Sequence, residues 1–152
     1  MAFGLPHQFD YLQLRLDILS SMINSIASPI HEREFGVSVR ELRVLRFAKA
    51  RPGLTLGQLT QLTALEKTIV SKLVSGLVKS GWLTRHVGVE DARHINLHLT
   101  KKGMDLVSRA DSFSRKWQSQ FLSVLTQEEL RALLESLEKL TVNARKTVQT
   151  ER

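Results

Sequence analysis

LTLGQLTQLTALEKTIVSKLVSGLVKSGWL, residues 54–83, followed by TRHVGVEDARHINLHL, residues 84–99, is the stretch on which the fold turns. Thr55 can cap a helix start, and Gln58 three residues on completes a capping box. Leu56, Leu59 and Leu62 then share one face at helical spacing. Thr63-Ala64-Leu65 reads as a short turn. From Glu66 the helical pattern resumes: Ile69, Leu73 and Leu77 form one apolar row, and Val70, Val74 and Val78 widen it. Ser80-Gly81 ends this second helix, with Gly81 suited to the left-handed position just past a helix end.

The other face of the second helix carries Lys67, Thr68, Ser71, Lys72, Ser75 and Lys79, with no acid after Glu66. Hydroxyl and lysine side chains near a helix N-terminus suit base edges and phosphates. The same pattern is also that of any solvated helix face. The strand pattern after the helix tips the balance. Ile95, Leu97 and Leu99 alternate with His94, Asn96 and His98, the period of a half-buried strand, and Leu83 to Val87 supplies its partner. Gly88 to Arg93 is the connecting loop. Two short helices and a hairpin make a winged helix, mainly α with a small β-hairpin wing, a shape that lays its second helix in a DNA major groove. An Arg on the wing loop, Arg93, is suited to the negative potential of a minor groove. Asp91 can orient that guanidinium. The plain alternative is a surface ion pair on a turn, worth little.

The run from Gly36 to Gly103 resembles the winged helix of the MarR family of bacterial transcriptional regulators. The likeness lies in Leu59-x-x-Leu62, in Thr68 to Val74, and in Leu77-Val78-Lys79-Ser80-Gly81-Trp82-Leu83-Thr84-Arg85. It continues in Asp91-Ala92-Arg93 and in Leu97-His98-Leu99-Thr100-x-x-Gly103. The resemblance implies that Lys67, Thr68, Ser71 and Lys72 lie on a recognition helix and Asp91 and Arg93 in the wing. It also implies terminal helices that interlock into a two-fold dimer. Gly76 departs from the family, which usually has a polar or charged residue there. A helix-interior Gly costs about 1 kcal/mol; close packing is one reason for a Gly at such a place, and the sequence does not decide whether it applies to Gly76.

The chain has 152 residues, 42% of them hydrophobic and 24% charged, ordinary for one globular domain with a core of its own. It holds no run of about 18 apolar residues. Met-Ala-Phe-Gly-Leu-Pro lacks the basic start and apolar centre of a signal peptide. The absence of cysteine excludes disulfides and thiol-based sensing. A cytoplasmic protein without a membrane partner is expected. The net charge of +7 is unevenly spread: residues 36–103 carry +8 and the remainder −1. That asymmetry is the footprint of a polyanion partner.

Outside the winged helix the chain reads as long helices. Asp10 to Phe35 carries a heptad seam of Phe9, Leu12, Leu16, Leu19, Ile23, Ile26 and Ile30. Tyr11, Leu14, Ile18 and Met22 add a second stripe. Pro29 should kink this helix or begin a new one. Ser38 caps a helix to Ala50, with Leu42, Val44, Leu45 and Phe47 inside and Arg40, Arg43 and Arg46 on a basic face. Arg51-Pro52-Gly53 is a turn. Thr100 caps a helix to about Val124, lined by Leu106, Ala110, Phe113, Trp117 and Phe121. Thr126 to Glu129 is a capping box that opens the last helix, with Leu130, Leu133, Leu137, Leu140 and Ala144 in a row. Thr147 to Arg152 is expected to fray. These readings give one domain, 1–152, in which 1–35 and 104–152 are dimerisation helices and 36–103 is the winged helix.

No catalytic motif is present: no His-Glu-x-x-His, Gly-x-Ser-x-Gly or phosphate-binding glycine loop. His94 and His98 share a strand face, with His86 on the partner strand, a set that could bind a transition metal. Exposed wing histidines near phosphates are the simpler reading, so neither a metal nor a cofactor is expected. Two functions of different class fit these features. The first is a dimeric, sequence-specific double-stranded-DNA-binding repressor, not an enzyme, on a pseudo-palindromic operator. The second is a winged helix used only for protein interaction or RNA binding. Family resemblance further implies a small aromatic acid as effector. His7, Tyr11, Arg15 and Arg40 are candidates to hold it, since an anion needs a cation and a ring needs a flat wall.

Overall fold

The computed structural model describes residues 12–87 and 95–150. Its elements run α1 (Leu12–Phe35), α2 (Val39–Ala50), β1 (Leu54–Thr55), α3 (Leu56–Thr63), α4 (Lys67–Lys79), β2 (Leu83–Val87), β3 (Ile95–Leu99), α5 (Lys101–Phe121) and α6 (Gln127–Thr150). A short 3-10 helix, Leu122–Val124, follows α5. This is the expected helix-turn-helix and hairpin, with one addition. The sheet has three strands in the order β1-β3-β2, all antiparallel. Leu54 pairs with Leu97 and Thr55 with Asn96, so the residue that caps α3 also belongs to the sheet.

Helices α2, α3 and α5 begin where local chemistry places them. Ser38 caps α2, its hydroxyl accepting from the Glu41 N–H at 3.2 Å while the Glu41 carboxylate accepts from the Ser38 N–H at 2.8 Å. Thr55 and Gln58 do the same for α3. At α5 the Thr100 hydroxyl accepts from the Gly103 N–H at 3.0 Å. These reciprocal bonds satisfy donors that a helix start otherwise leaves unpaired.

The core lies inside the winged helix. Leu42, Val44 and Leu45 of α2, Leu59 of α3, Val70, Val74 and Leu77 of α4, and Leu83 and Leu97 of the sheet are buried together. Burying each side chain of this kind stabilises by about 1.5–3 kcal/mol. Phe47, expected inside, is only partly buried against this cluster. The buried stripe of α4 is centred on Val70, Val74 and Leu77, with Ile69 and Leu73 half-buried at its edge. It is thus rotated by about one position from the row read in the sequence.

The first turns of α5 belong to this core too. Leu106, Val107 and Ala110 are buried in it, and Lys49 of α2 donates to the Ser108 hydroxyl at 3.2 Å. The chain divides into two compact units between Ala110 and Asp111. Beyond Gly103, α5 thus continues to bury apolar residues in the core of the winged helix.

In the second unit the Thr126 hydroxyl accepts from the Glu129 N–H at 3.2 Å, and the Glu129 carboxylate accepts from the Thr126 N–H at 2.8 Å. The Thr126 backbone N–H, and after it the Thr126 side chain, hold the Glu129 carboxyl below its ordinary pKa. Trp117 and Phe121 stack at 5.1 Å. Helix α6 keeps its helical backbone to Thr150, past the point where fraying was expected at Thr147. Leu133, Leu134, Leu140 and Val142 on it are exposed.

Helix α1 also departs from expectation. It is continuous through Pro29, with no fresh start. Proline removes the one hydrogen bond its N–H would donate, and the next turn is tied separately, by a 2.7 Å bond from His31 Nδ1 to the Ala27 carbonyl. His31 is buried, its ring 5.9 Å from that of Phe35. The earlier part of α1 is different: Leu12, Leu16, Leu19, Met22 and Ile26 of the expected seams are all exposed.

Candidate nucleic-acid interface

The turn between α3 and α4 sets how α4 is presented. Thr63, expected in the turn, is the last residue of α3 and is buried, its hydroxyl donating to the Leu59 carbonyl at 2.8 Å. Ala64 then takes a left-handed conformation, φ 53°, which L-residues adopt only at a cost. Glu66 is the extended residue before α4 and makes no side-chain cap. The first turn of α4 therefore keeps its free N–H groups and carries Lys67 and Thr68, both exposed.

At its other end α4 stops in a Schellman arrangement. Gly81, at φ +73°, donates to the Val78 carbonyl at 3.0 Å, and the Trp82 N–H to the Leu77 carbonyl at 2.9 Å. The chain then passes tightly beneath α5. The Thr100 N–H donates to the Trp82 carbonyl at 3.1 Å and the Thr100 hydroxyl to the Gly81 carbonyl at 2.7 Å. A Cβ on Gly103 would collide with the Trp82 carbonyl. Lys102 covers the Trp82 ring at 4.0 Å. Close packing thus explains Gly103. It does not explain Gly76, where an added Cβ would meet nothing within 4 Å.

With its apolar side set in the core, α4 turns Lys67, Thr68, Lys72, Ser75 and Lys79 outward; Ser71 is half-buried. Gly76 is exposed as well. From β2, Arg85 reaches this face and donates through Nη2 to the Ser75 hydroxyl at 2.9 Å. The sequence reading left Arg85 out of the site. Among the described residues no carboxylate pairs with Lys72, Lys79 or Arg85. On the wing strands, the His86 and His98 rings meet edge to face at 5.1 Å, and His86 Nε2 lies 3.1 Å from the Thr84 hydroxyl. Among the described residues no group of three or more metal-ligating side chains comes together.

Of the residues named from the sequence, Lys67, Thr68, Ser71 and Lys72 fall together on α4. Asp91 and Arg93, like His94, lie outside the described residues. His7 and Tyr11 do too. Arg15 and Arg40 are both exposed but are not neighbours. Arg15 lies near the start of α1, about 30 Å of helix from its end at Phe35, and Arg40 follows that end in the first turn of α2. Among the described residues no helix is long and apolar enough to cross a membrane.

The model of the MarR family matches residues 35–94. The chain is 28% identical over 105 residues to the HTH-type transcriptional regulator BilQ of Clostridium symbiosum, covering 69% of this chain and 73% of that one. It is 28% identical over 118 residues to the HTH-type transcriptional regulator PecS of Dickeya dadantii, covering 74% and 71%. Among solved structures, a MarR protein from Peptoclostridium difficile shares the fold with a TM-score of 0.86, at 22% identity, over 100% of this chain and 99% of that one. A MepR–DNA complex from S. aureus aligns with a TM-score of 0.78, at 22% identity, over 88% and 98%. The matching relatives are named as regulators rather than enzymes. The match falls on the segment that builds the helix-turn-helix and the first strand of the wing; over that segment the chain resembles the MarR family, and its fold is the one shared by the winged-helix regulators it aligns with.

Proposed function

We propose that this chain is a homodimeric, sequence-specific double-stranded-DNA-binding repressor that a small aromatic acid releases from its operator. The observation that carries the DNA reading is the outward face of α4. It presents cations and hydroxyls on a rigid backing of buried Val70, Val74 and Leu77, with no carboxylate paired to Lys72 or Lys79 among the described residues. Residues 36–103 concentrate the chain's positive charge, which suits phosphate neutralisation. A structural neighbour, the S. aureus MepR, is solved as a DNA complex. In this reading Lys67, Thr68, Ser71 and Lys72 meet the major groove, and Arg93, oriented by Asp91, enters the minor groove.

The dimer reading is supported by the exposed leucines of α1 and α6, which water alone would not favour in such rows. Two copies imply an operator with half-sites about one helical turn apart. For the effector, the exposed guanidinium groups of Arg15 and Arg40 are the anion partners, with Tyr11 and His7 close to Arg15 in sequence. Because Arg15 and Arg40 are not neighbours in one chain, a pocket using both would draw on two chains.

A mobility-shift titration tests the reading, with duplex DNA from the region flanking the chain's own gene against single-stranded RNA of the same sequence. Preferential duplex binding, weakened by an aromatic acid, is expected. By linkage, DNA then lowers the acid's affinity by the same factor. Equal or tighter RNA binding would overturn the function.

A further inference from the structure

Arg85 belongs to β2, yet its guanidinium ends on α4. The bond to Ser75 spans ten positions of sequence and joins the wing strand to the recognition helix at 2.9 Å. Lys72, Ser75 and Lys79 follow one another at spacings of three and four, so they form one ridge along α4, about 10 Å long. Arg85 is docked at the middle of that ridge, and all four side chains are exposed. Three positive charges are thus gathered on one strip without a paired carboxylate among the described residues.

Such an arrangement is unfavourable for the free protein, because like charges repel. The neutral hydroxyl of Ser75 does not relieve that repulsion. What it supplies is direction. An arginine side chain loses about 2 kcal/mol of rotamer freedom when fixed, and a bond made beforehand removes part of that loss from the binding step. Ser75 engages one nitrogen of the guanidinium, which leaves the remaining N–H donors for an acceptor outside the protein. A planar, weakly hydrated cation with several donors is the group best matched to a phosphate oxygen pair. A merely structural tie between wing and helix would not need a charged group at so exposed a place.

We infer that Arg85 is a phosphate-binding residue of the DNA interface, and that Ser75 is the positioning residue that aims it. The inference rests on the DNA-binding reading proposed above. It places a phosphate contact where the wing strand β2 meets α4.

The test is a salt titration of binding to a mixed-sequence DNA duplex, since a phosphate contact does not depend on sequence. Arg85→Gln should weaken binding about tenfold, and the slope of log affinity against log salt should become shallower by about 1. Ser75→Ala should weaken binding a few-fold and keep the parent's slope, because the charge remains. In the Arg85→Gln background, Ser75→Ala should have no further effect. Thermal melting of the free protein should hardly change in either variant. A parent-like slope for Arg85→Gln, or a Ser75→Ala loss that persists without Arg85, would overturn the inference alone. A melting temperature that falls with Arg85→Gln while the slope stays would reassign the pair to a structural tie and likewise overturn it. If the unaltered chain binds no duplex at all, the DNA reading fails first and takes this one with it.

Discussion

Leu77 and Leu83 in the winged helix are fully buried, whereas Leu12, Leu16 and Leu19 along α1 and Leu133 and Leu140 along α6 stand exposed. Both regions are built from apolar residues spaced to line one side of an element. In the winged helix, α2, α3, α4, the sheet and the first turns of α5 close around the same cluster, so every stripe finds its cover within the chain. The leucine rows at the two ends do not. Apolar spacing shows that a helix has a side to be covered; it does not say which chain supplies the cover. The core is covered within the chain, and the end helices carry apolar rows that stand exposed.

The comparison is broken most severely from inside. Leu77→Ala opens a cavity in a cluster with no slack and should lower unfolding stability by about 2–5 kcal/mol in urea titrations. A loss much smaller than that would mean the core is no better packed than the ends. From the other side, Leu140→Glu should leave far-ultraviolet circular dichroism intact and raise the dimer dissociation constant about tenfold or more in sedimentation experiments. A chain that sediments as a stable monomer before any substitution would remove the contrast altogether. The outer face of α4 offers a finer test: Gly76 meets nothing within 4 Å of an added Cβ, so Gly76→Ala should stabilise the core by about 1 kcal/mol.

The smallest effect concerns the start of α6. Glu129 has its carboxyl pKa lowered by the backbone N–H of Thr126 and then by its hydroxyl. A depressed carboxylate contributes stability above the pKa it has in the unfolded chain, and that contribution disappears as pH falls through the folded value. Thr126→Ala removes the hydroxyl but keeps the backbone N–H, so it should move the Glu129 titration, followed by carbonyl NMR, only part of the way up towards the ordinary carboxylate range. The winged-helix core should show no corresponding change.

The features legible in the sequence are those whose causes lie within a few residues. The boxes at Thr55–Gln58 and Thr126–Glu129, the stop at Gly81 and the alternation of Ile95, Leu97 and Leu99 each state their own geometry. The rest depends on residues far apart. β1 is two residues long and exists only because β3 lies beside it. The roles of Gly76 and Gly103 cannot be told apart without knowing that the Trp82 carbonyl passes over one of them. Ala64 adopts a left-handed turn that its residue type does not advertise, because the helices on either side impose it. In the site, the α4 face was legible from periodicity, with its centre misplaced by one residue. Arg85 was not, since nothing in a strand sequence shows that its side chain crosses to a helix.

The pairing of Leu54 with Leu97 and of Thr55 with Asn96 also bears on the order in which the molecule assembles. α3, α4 and β2 succeed one another through short connections, so their contacts close small loops. β1 meets β3 only when everything between them is in place, and closing that larger loop costs more chain entropy. Contacts between distant parts of a chain are the slow ones to form. The strand that delivers the chain into α3 thus closes a longer loop than the contacts among α3, α4 and β2. The 3.0 Å bond from the Gly53 N–H to the Leu97 carbonyl extends that closure, a latch drawn across the base of the helix-turn-helix.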